Sequence, residues 1–253
     1  MKRKPRKIAV ANQKGGVGKT TTACQLAHAM ANQGKSVLII DVDFQMNCTF
    51  ALLGLGQKPE VNLLRVMQGE VKAKDSIFEV SDKIDLIPSN PDLKSTDLIF
   101  GQEVGRERLL KEAIKGLNYD VTIFDCPPSL GIMTINAFMA ADEVIIPVSP
   151  STWALTGLDA LTEDIQTIRQ RMGHNKLRVL GAVQTMADNT NVSRDIGVAL
   201  QNRFKKDFFK TLIPRRISME EANSRSEPIG NYDPNSEVVA AYSNLAEEVL
   251  ARG

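Results

Sequence analysis

The 253-residue chain has little cysteine, no long apolar run, no internal repeat and almost no net charge. Each shortage closes off a class of protein. Three cysteines, Cys24, Cys48 and Cys126, are odd in number and widely spaced, so a disulfide framework is excluded. Their spacing matches no metal site, and they read as reduced thiols of a cytoplasmic protein. No apolar stretch approaches the roughly 18 residues of a membrane span. The start, Met1 to Lys7, is basic, but the apolar stretch after it breaks at Asn12 and is too short for a signal peptide. A formal net charge of +1 gives no global attraction to nucleic acid, so any such binding has to come from local clusters. No low-complexity linker divides the chain. The expectation is one domain over residues 1–253, with residues 1–7 as a basic N-terminal arm.

What the chain does have is a series of short apolar runs separated by amphipathic helical patterns. The runs are Ile8 to Asn12, Ser36 to Asp41, Ile84 to Pro88, Val121 to Asp125, Glu143 to Val148 and Arg178 to Val183. Their apolar residues run on rather than alternate, as in strands covered on both faces. Helices are expected over Thr20 to Asn32, Gly105 to Gly116, Ile132 to Ala141, Leu155 to Met172, Val192 to Lys205 and Ser236 to Ala251. Gly54 to Asp82 reads as a polar surface excursion with one short helical pattern. This alternation predicts an α/β fold, a mostly parallel twisted sheet flanked by helices on both faces. Ligands in such sheets sit beyond the carboxyl ends of the strands, where every candidate catalytic residue falls.

The most specific stretch is Gln13-Lys14-Gly15-Gly16-Val17-Gly18-Lys19-Thr20-Thr21, between the first strand and the first helix. Gly15, Gly16 and Gly18 allow successive N–H groups to turn inward around an anion. The helix that follows adds free N–H groups and its positive dipole end. Lys19 can reach terminal phosphates, the Thr20 hydroxyl can hold Mg²⁺, and Val17 and Thr21 complete the cradle, so a nucleoside triphosphate is the natural ligand. Two further stretches end in carboxylates. Asp41 and Asp43 close the second strand with the same orientation, and Asp125 closes the strand before Cys126-Pro127-Pro128-Ser129.

The standard phosphate-loop pattern would place a glycine at position 13. Here Gln13 stands there, and Lys14 precedes the glycines. This form resembles the deviant Walker A loop of the ParA/MinD ATPases, and the chain is similar to the ParA/Soj partition branch of that class over essentially its whole length. The resemblance implies a P-loop ATPase in which Lys14 reaches across a homodimer with ATP sandwiched between the subunits. Asp43 would orient the attacking water and touch Mg²⁺ through water, with Asp41 supporting that shell. Phe44 and Met46 replace the family's proline and glycine in this turn. Asp125 would hold Mg²⁺ through its waters. Thr211 to Arg215 resembles the segment that holds adenine, with the Pro214 backbone at the base edge, Arg215 stacked on it and Thr185 as a further base contact.

The same resemblance implies a slow ATPase that binds DNA without sequence preference, positions or segregates a cargo, and is stimulated by a ParB-like or other adaptor protein on the nucleoid. The local sources of positive charge are Arg203, Lys205, Lys206, Lys210 and Arg216, assisted by the Lys2–Lys7 arm. Asn189 and Ser218 stand where chromosomal relatives would carry arginines. Three rivals are weighed. A MinD-like membrane regulator would need a basic amphipathic terminal helix, whereas Leu245 to Gly253 carries two acids and no bulky aromatic. An iron–sulfur ATPase similar to the nitrogenase iron protein would need paired cysteines at the subunit interface. The third is a nucleotide-dependent assembly module that ignores DNA. No helix-turn-helix pattern precedes the first strand, which argues against site-specific operator binding.

Overall fold

The computed structural model describes residues 4–151 and 154–252. The apolar runs become strands: β1 (Arg6–Val10), β2 (Val37–Asp41), β3 (Phe78–Ser81), β4 (Ile84–Ile87), β5 (Val121–Asp125), β6 (Glu143–Val148) and β7 (Arg178–Gln184). The helices in the first half are α1 (Lys19–Asn32), α2 (Asn47–Leu53), α3 (Leu63–Met67), α4 (Thr96–Ile99) and α5 (Leu109–Ala113). The second half adds α6 (Ile132–Ala140), α7 (Leu158–Arg171), α8 (Asn191–Phe204), α9 (Ile217–Ser224), α10 (Ile229–Tyr232) and α11 (Glu237–Ala251).

One seven-stranded sheet runs β3-β4-β2-β5-β1-β6-β7, parallel except for the β3–β4 pair. Successive residues of a strand face opposite sides, and both sides are packed. In β1, Ile8 and Val10 join the core under α1 and α11, while Ala9 joins the core under α6 and α7. That double coverage is why the strands read as continuous apolar runs. Strand order reverses around β1, so the ends of β1, β2 and β5 open onto a common crevice.

Several expectations shift. The basic arm ends sooner than expected, because Arg6 and Lys7 already belong to β1, and Arg6 Nε donates to the buried Glu143 carboxylate at 2.8 Å. Lys2 and Arg3 lie outside the described residues. The stretch expected as a helix over Gly105 to Gly116 is a 3₁₀ turn followed by the short α5. Asn136 of α6 explains this: its amide donates to Arg106 O at 2.7 Å and accepts from Leu110 N at 3.0 Å, replacing helical bonds. α7 starts three residues late because Gly157 takes a left-handed φ of 89°. The surface excursion hides β3, a four-residue edge strand paired to β4 through a hairpin.

Candidate functional site

β1 ends at Val10, and the loop after it is held from three sides. The buried Asn12 donates to Pro147 O of β6 at 2.7 Å and accepts from Lys14 N at 3.0 Å. Gln13 donates to Asp164 of α7 at 2.8 Å. Thr185, beyond β7, donates its hydroxyl to Val17 O at 2.8 Å. Gly16 and Gly18 have φ of 70° and 81°, a left-handed pair that lets the backbone curl before α1 begins at Lys19. The Lys19 ammonium folds back to donate to Lys14 O at 3.0 Å. Burial lowers its pKa, against the pull of Asp125 and Asp43 upward.

Three carboxylates face this loop. Asp41 and Asp125 are directly opposite one another on the paired strands β2 and β5. Asp41 is fully committed: its two oxygens accept from Thr49 N at 2.8 Å, Thr49 Oγ1 at 2.7 Å and Asp43 N at 3.1 Å. It therefore shapes the turn and has little capacity left for the water shell of a cation. Asp43 accepts from Gln45 N at 3.0 Å, and Ser89 beyond β4 donates to its carbonyl at 2.6 Å. Met46 completes this turn in a left-handed conformation, at φ 60°, immediately before α2.

Asp125 differs from both. One oxygen accepts from Thr20 Oγ1 at 2.7 Å, while the other, Oδ1, is buried with no hydrogen-bond partner. Burial first, then the Asp41 charge, pushes the Asp125 carboxyl well above its usual range, and burial raises Asp43 as well. A buried, unpaired carboxylate oxygen is costly, and converging acids with one nearby lysine are short of positive charge. Hard oxygen donors of this kind fit Mg²⁺. No group of three His, Cys, Asp or Glu side chains among the described residues is placed to hold a metal alone. A cation here would complete its shell with the Thr20 hydroxyl, water and phosphate oxygens.

A cleft of about 570 Å³ opens above these groups, within the range of small-molecule sites. The sequence-predicted Gly15, Gly16, Gly18, Lys19, Thr20 and Thr21 line it, together with Asp43, Asn47 and Pro128. Lys14 is half-buried and outside the cleft lining, and its ammonium donates to Ser151 of the same chain. The adenine segment is placed differently from expectation. Pro214 and Arg215 are not among the residues lining the cleft; their main chain pairs with Ala187, and Pro214 borders a separate groove. Thr185 is 2% exposed with its hydroxyl spent on the loop, so it braces the loop from below and has no donor left for a base. The far wall comes instead from Met186, Asn223, Ser226, Glu227 and Pro228, with His28 and Phe50 on the near side. Nothing in the local sequence marks those residues; Asn223 and Ser226 to Pro228 come from α9 and the turn before α10, and Met186 from the loop after β7.

The basic residues split into two groups. Lys205 and Lys206 are exposed at the end of α8, and Arg203 pairs with Asp159 of α7 at 2.6 Å. Arg203 and Lys206 share a groove with Arg169 and Arg178, which the sequence reading did not single out. Lys210 and Arg216 border a different groove lined by Glu237, Glu247 and Glu248, and Arg216 is ion-paired with Glu237.

Comparison with known proteins agrees with this architecture. A protein-family profile described as an AAA domain matches residues 5–179. The chromosome-partitioning ATPase Soj of Thermus thermophilus is 38% identical over 253 residues, covering 100% of this chain and 98% of that protein. The chromosome partitioning protein ParA of Caulobacter vibrioides is 36% identical, covering 98% and 94%. Among solved structures, a Mycobacterium smegmatis protein described as cobyrinic acid a,c-diamide synthase, with bound ATP analogue and magnesium, is 33% identical. It superposes with a TM-score of 0.84 over 96% of this chain and 93% of that one. On this full-length likeness, the chain belongs to the ParA/Soj family of chromosome-partitioning ATPases.

Proposed function

We propose that the whole chain is a single ATPase domain that binds ATP with Mg²⁺ in the cleft, dimerises around it, and in that state binds DNA without sequence preference. The observation that carries the nucleotide reading is the Thr20–Asp125 pair under a left-handed glycine loop, with Asp125 Oδ1 buried and unpaired. The Mycobacterium structure, solved with an ATP analogue and magnesium, supports the same ligand here. Partition relatives at 36–38% identity support a role in segregating a DNA or protein cargo, with a ParB-like adaptor as activator.

The loop N–H groups and the α1 terminus would bind the phosphates. Lys19 would exchange its bond to Lys14 O for phosphate oxygens, and Thr20 and Asp125 would hold the cation shell. Mg²⁺ in that shell supplies charge neutralisation of the phosphate oxygens. Asp43 would orient water through its free carboxylate oxygen. It is a weak base, and slow turnover awaiting an activator follows. Lys14 would leave Ser151 to meet phosphates of the partner subunit. Positioning and charge, rather than covalent chemistry, do the work.

The test is DNA binding by gel shift without nucleotide and with ADP, ATP or a non-hydrolysable analogue, at two salt concentrations, beside Lys14→Gln. Binding that needs the triphosphate, weakens with salt and disappears in the variant is expected. Triphosphate-dependent dimers that ignore DNA would move the function to a protein scaffold.

A further inference from the structure

Two cysteines that the ATPase reading does not use face one another beside the cleft. Cys24 lies on α1 and Cys48 is the second residue of α2, with their sulfurs 3.5 Å apart. Cys24 is in the cleft wall and 4% exposed, whereas Cys48 is behind it and sealed. Buried thiols are usually inert; Cys24 differs because the empty cleft is a path to it. Because Cys24 borders the cleft and Cys48 is sealed behind it, Cys24 is the sulfur that a molecule in the cleft meets first.

We infer that Cys24 and Cys48 are an oxidative modification site: hydrogen peroxide entering the empty cleft converts them to a reversible disulfide, and bound nucleotide shields them. The shielding half rests on the nucleotide reading of the cleft. In the first step the Cys24 thiol sulfur attacks a peroxide oxygen. An S–O bond forms, the O–O bond breaks, and the leaving hydroxide takes up the Cys24 proton as water. The Cys48 sulfur then attacks the Cys24 sulfur. The S–S bond forms, the S–O bond breaks, and the hydroxyl leaves with the Cys48 proton as a second water. The two thiols lose two electrons, and the peroxide gains them.

Closing from 3.5 Å to the roughly 2.0 Å of a disulfide asks for a modest movement. α2 is the element free to supply it: seven residues long, entered through the left-handed Met46 and left through Gly54. The consequence reaches the site. The residue after Cys48, Thr49, holds Asp41 through both its N–H and its hydroxyl, and the turn before α2 carries Asp43. A covalent tie from α2 to the helix bearing Lys19 and Thr20 fixes that turn against the phosphate loop. Oxidation is therefore expected to slow ATP turnover and reduction to restore it.

The test treats the full-length protein with hydrogen peroxide, with and without ADP, blocks remaining thiols by alkylation, and maps peptides by mass spectrometry without reduction. A Cys24–Cys48 linked peptide is expected, with Cys126, 1% exposed beneath the phosphate loop, remaining a thiol as the internal control. ADP at ten times its Kd should cut the yield about tenfold, the fraction of cleft left empty by mass action. Cys48→Ser should give no linked peptide and should trap Cys24 as a dimedone-reactive sulfenic acid. Cys24 and Cys48 both remaining alkylatable after peroxide, without ADP, overturns the site. Calorimetry of ADP binding runs alongside. Full oxidation despite bound ADP overturns the shielding alone, and no ADP binding defeats the nucleotide reading and the shielding together.

Discussion

Asp125 carries a conflict: one oxygen is satisfied by Thr20, the other is buried and unpaired, and Asp41 stands opposite on the next strand. Most of the neighbouring polar groups are used up on the protein itself, and that leaves Asp125 as the place where a cation has most to gain. His28, on the near wall, shows burial acting in the opposite direction on a base. Burial lowers its pKa from an ordinary 6.5 to about 4. The neutral ring is thus the native form, and its contribution is present above 6.5 and lost as pH falls towards 4. Replacing His28 by Gln removes that dependence, so the stability gap between wild type and variant should shrink by up to about 3 kcal/mol across this window. Urea unfolding at several pH values reads the gap; a constant difference would sink the argument. The difference is needed because Asp41 and Asp125, raised by burial, gain stability as pH falls through the same range.

At the scale of the element, β1, the loop and α1 form one unit in which backbone conformation matters more than side-chain size. A methyl group at Gly18 would lie 3.8 Å from Thr185 and Met186, an ordinary contact, yet the residue has φ 81°. Gly18→Ala should therefore cost about 1–2 kcal/mol through backbone strain alone. Gly15, with open space around it and no left-handed φ, should tolerate alanine with nearly unchanged stability. Denaturant midpoints of the two variants decide this, and equal losses would show that the left-handed φ is not what sets the cost at Gly18. The loop was legible in the sequence because glycine and lysine at fixed offsets have a local meaning. The parallel strands were legible for a similar reason: burial on both faces leaves uninterrupted apolar runs. β3 was not, because an edge strand of Phe-Glu-Val-Ser is half exposed and earns its place only by pairing with β4. α5 was overextended because Asn136, from another helix, intercepts its backbone groups.

Across the whole molecule, the order of strands brings the ends of β1, β2 and β5 together on one edge, while the exposed lysines at the end of α8 lie on another element. Because the net charge is only +1, local clusters have to supply any attraction to phosphate. Lys205 and Lys206 are exposed, whereas Arg216 is engaged by Glu237. Replacing Lys205 and Lys206 together by Gln should lower the slope of log affinity for DNA against log salt by up to about 1.8, and Arg216→Gln should change it less. Binding titrations over a salt series measure both slopes; the reverse ranking would place the contact on the Lys210–Arg216 groove. The sequence by itself determined the fold class, the glycine-rich loop between β1 and α1 and the positions of Asp43 and Asp125 at strand ends, since each depends on periodicity or on spacing along one segment. Tertiary structure alone decided that Thr185 braces the loop, that Met186, Asn223 and Ser226 to Pro228 wall the cleft, and that Cys24 meets Cys48. Those contacts join residues far apart in the chain, and only the packing of helices on the sheet sets their distances.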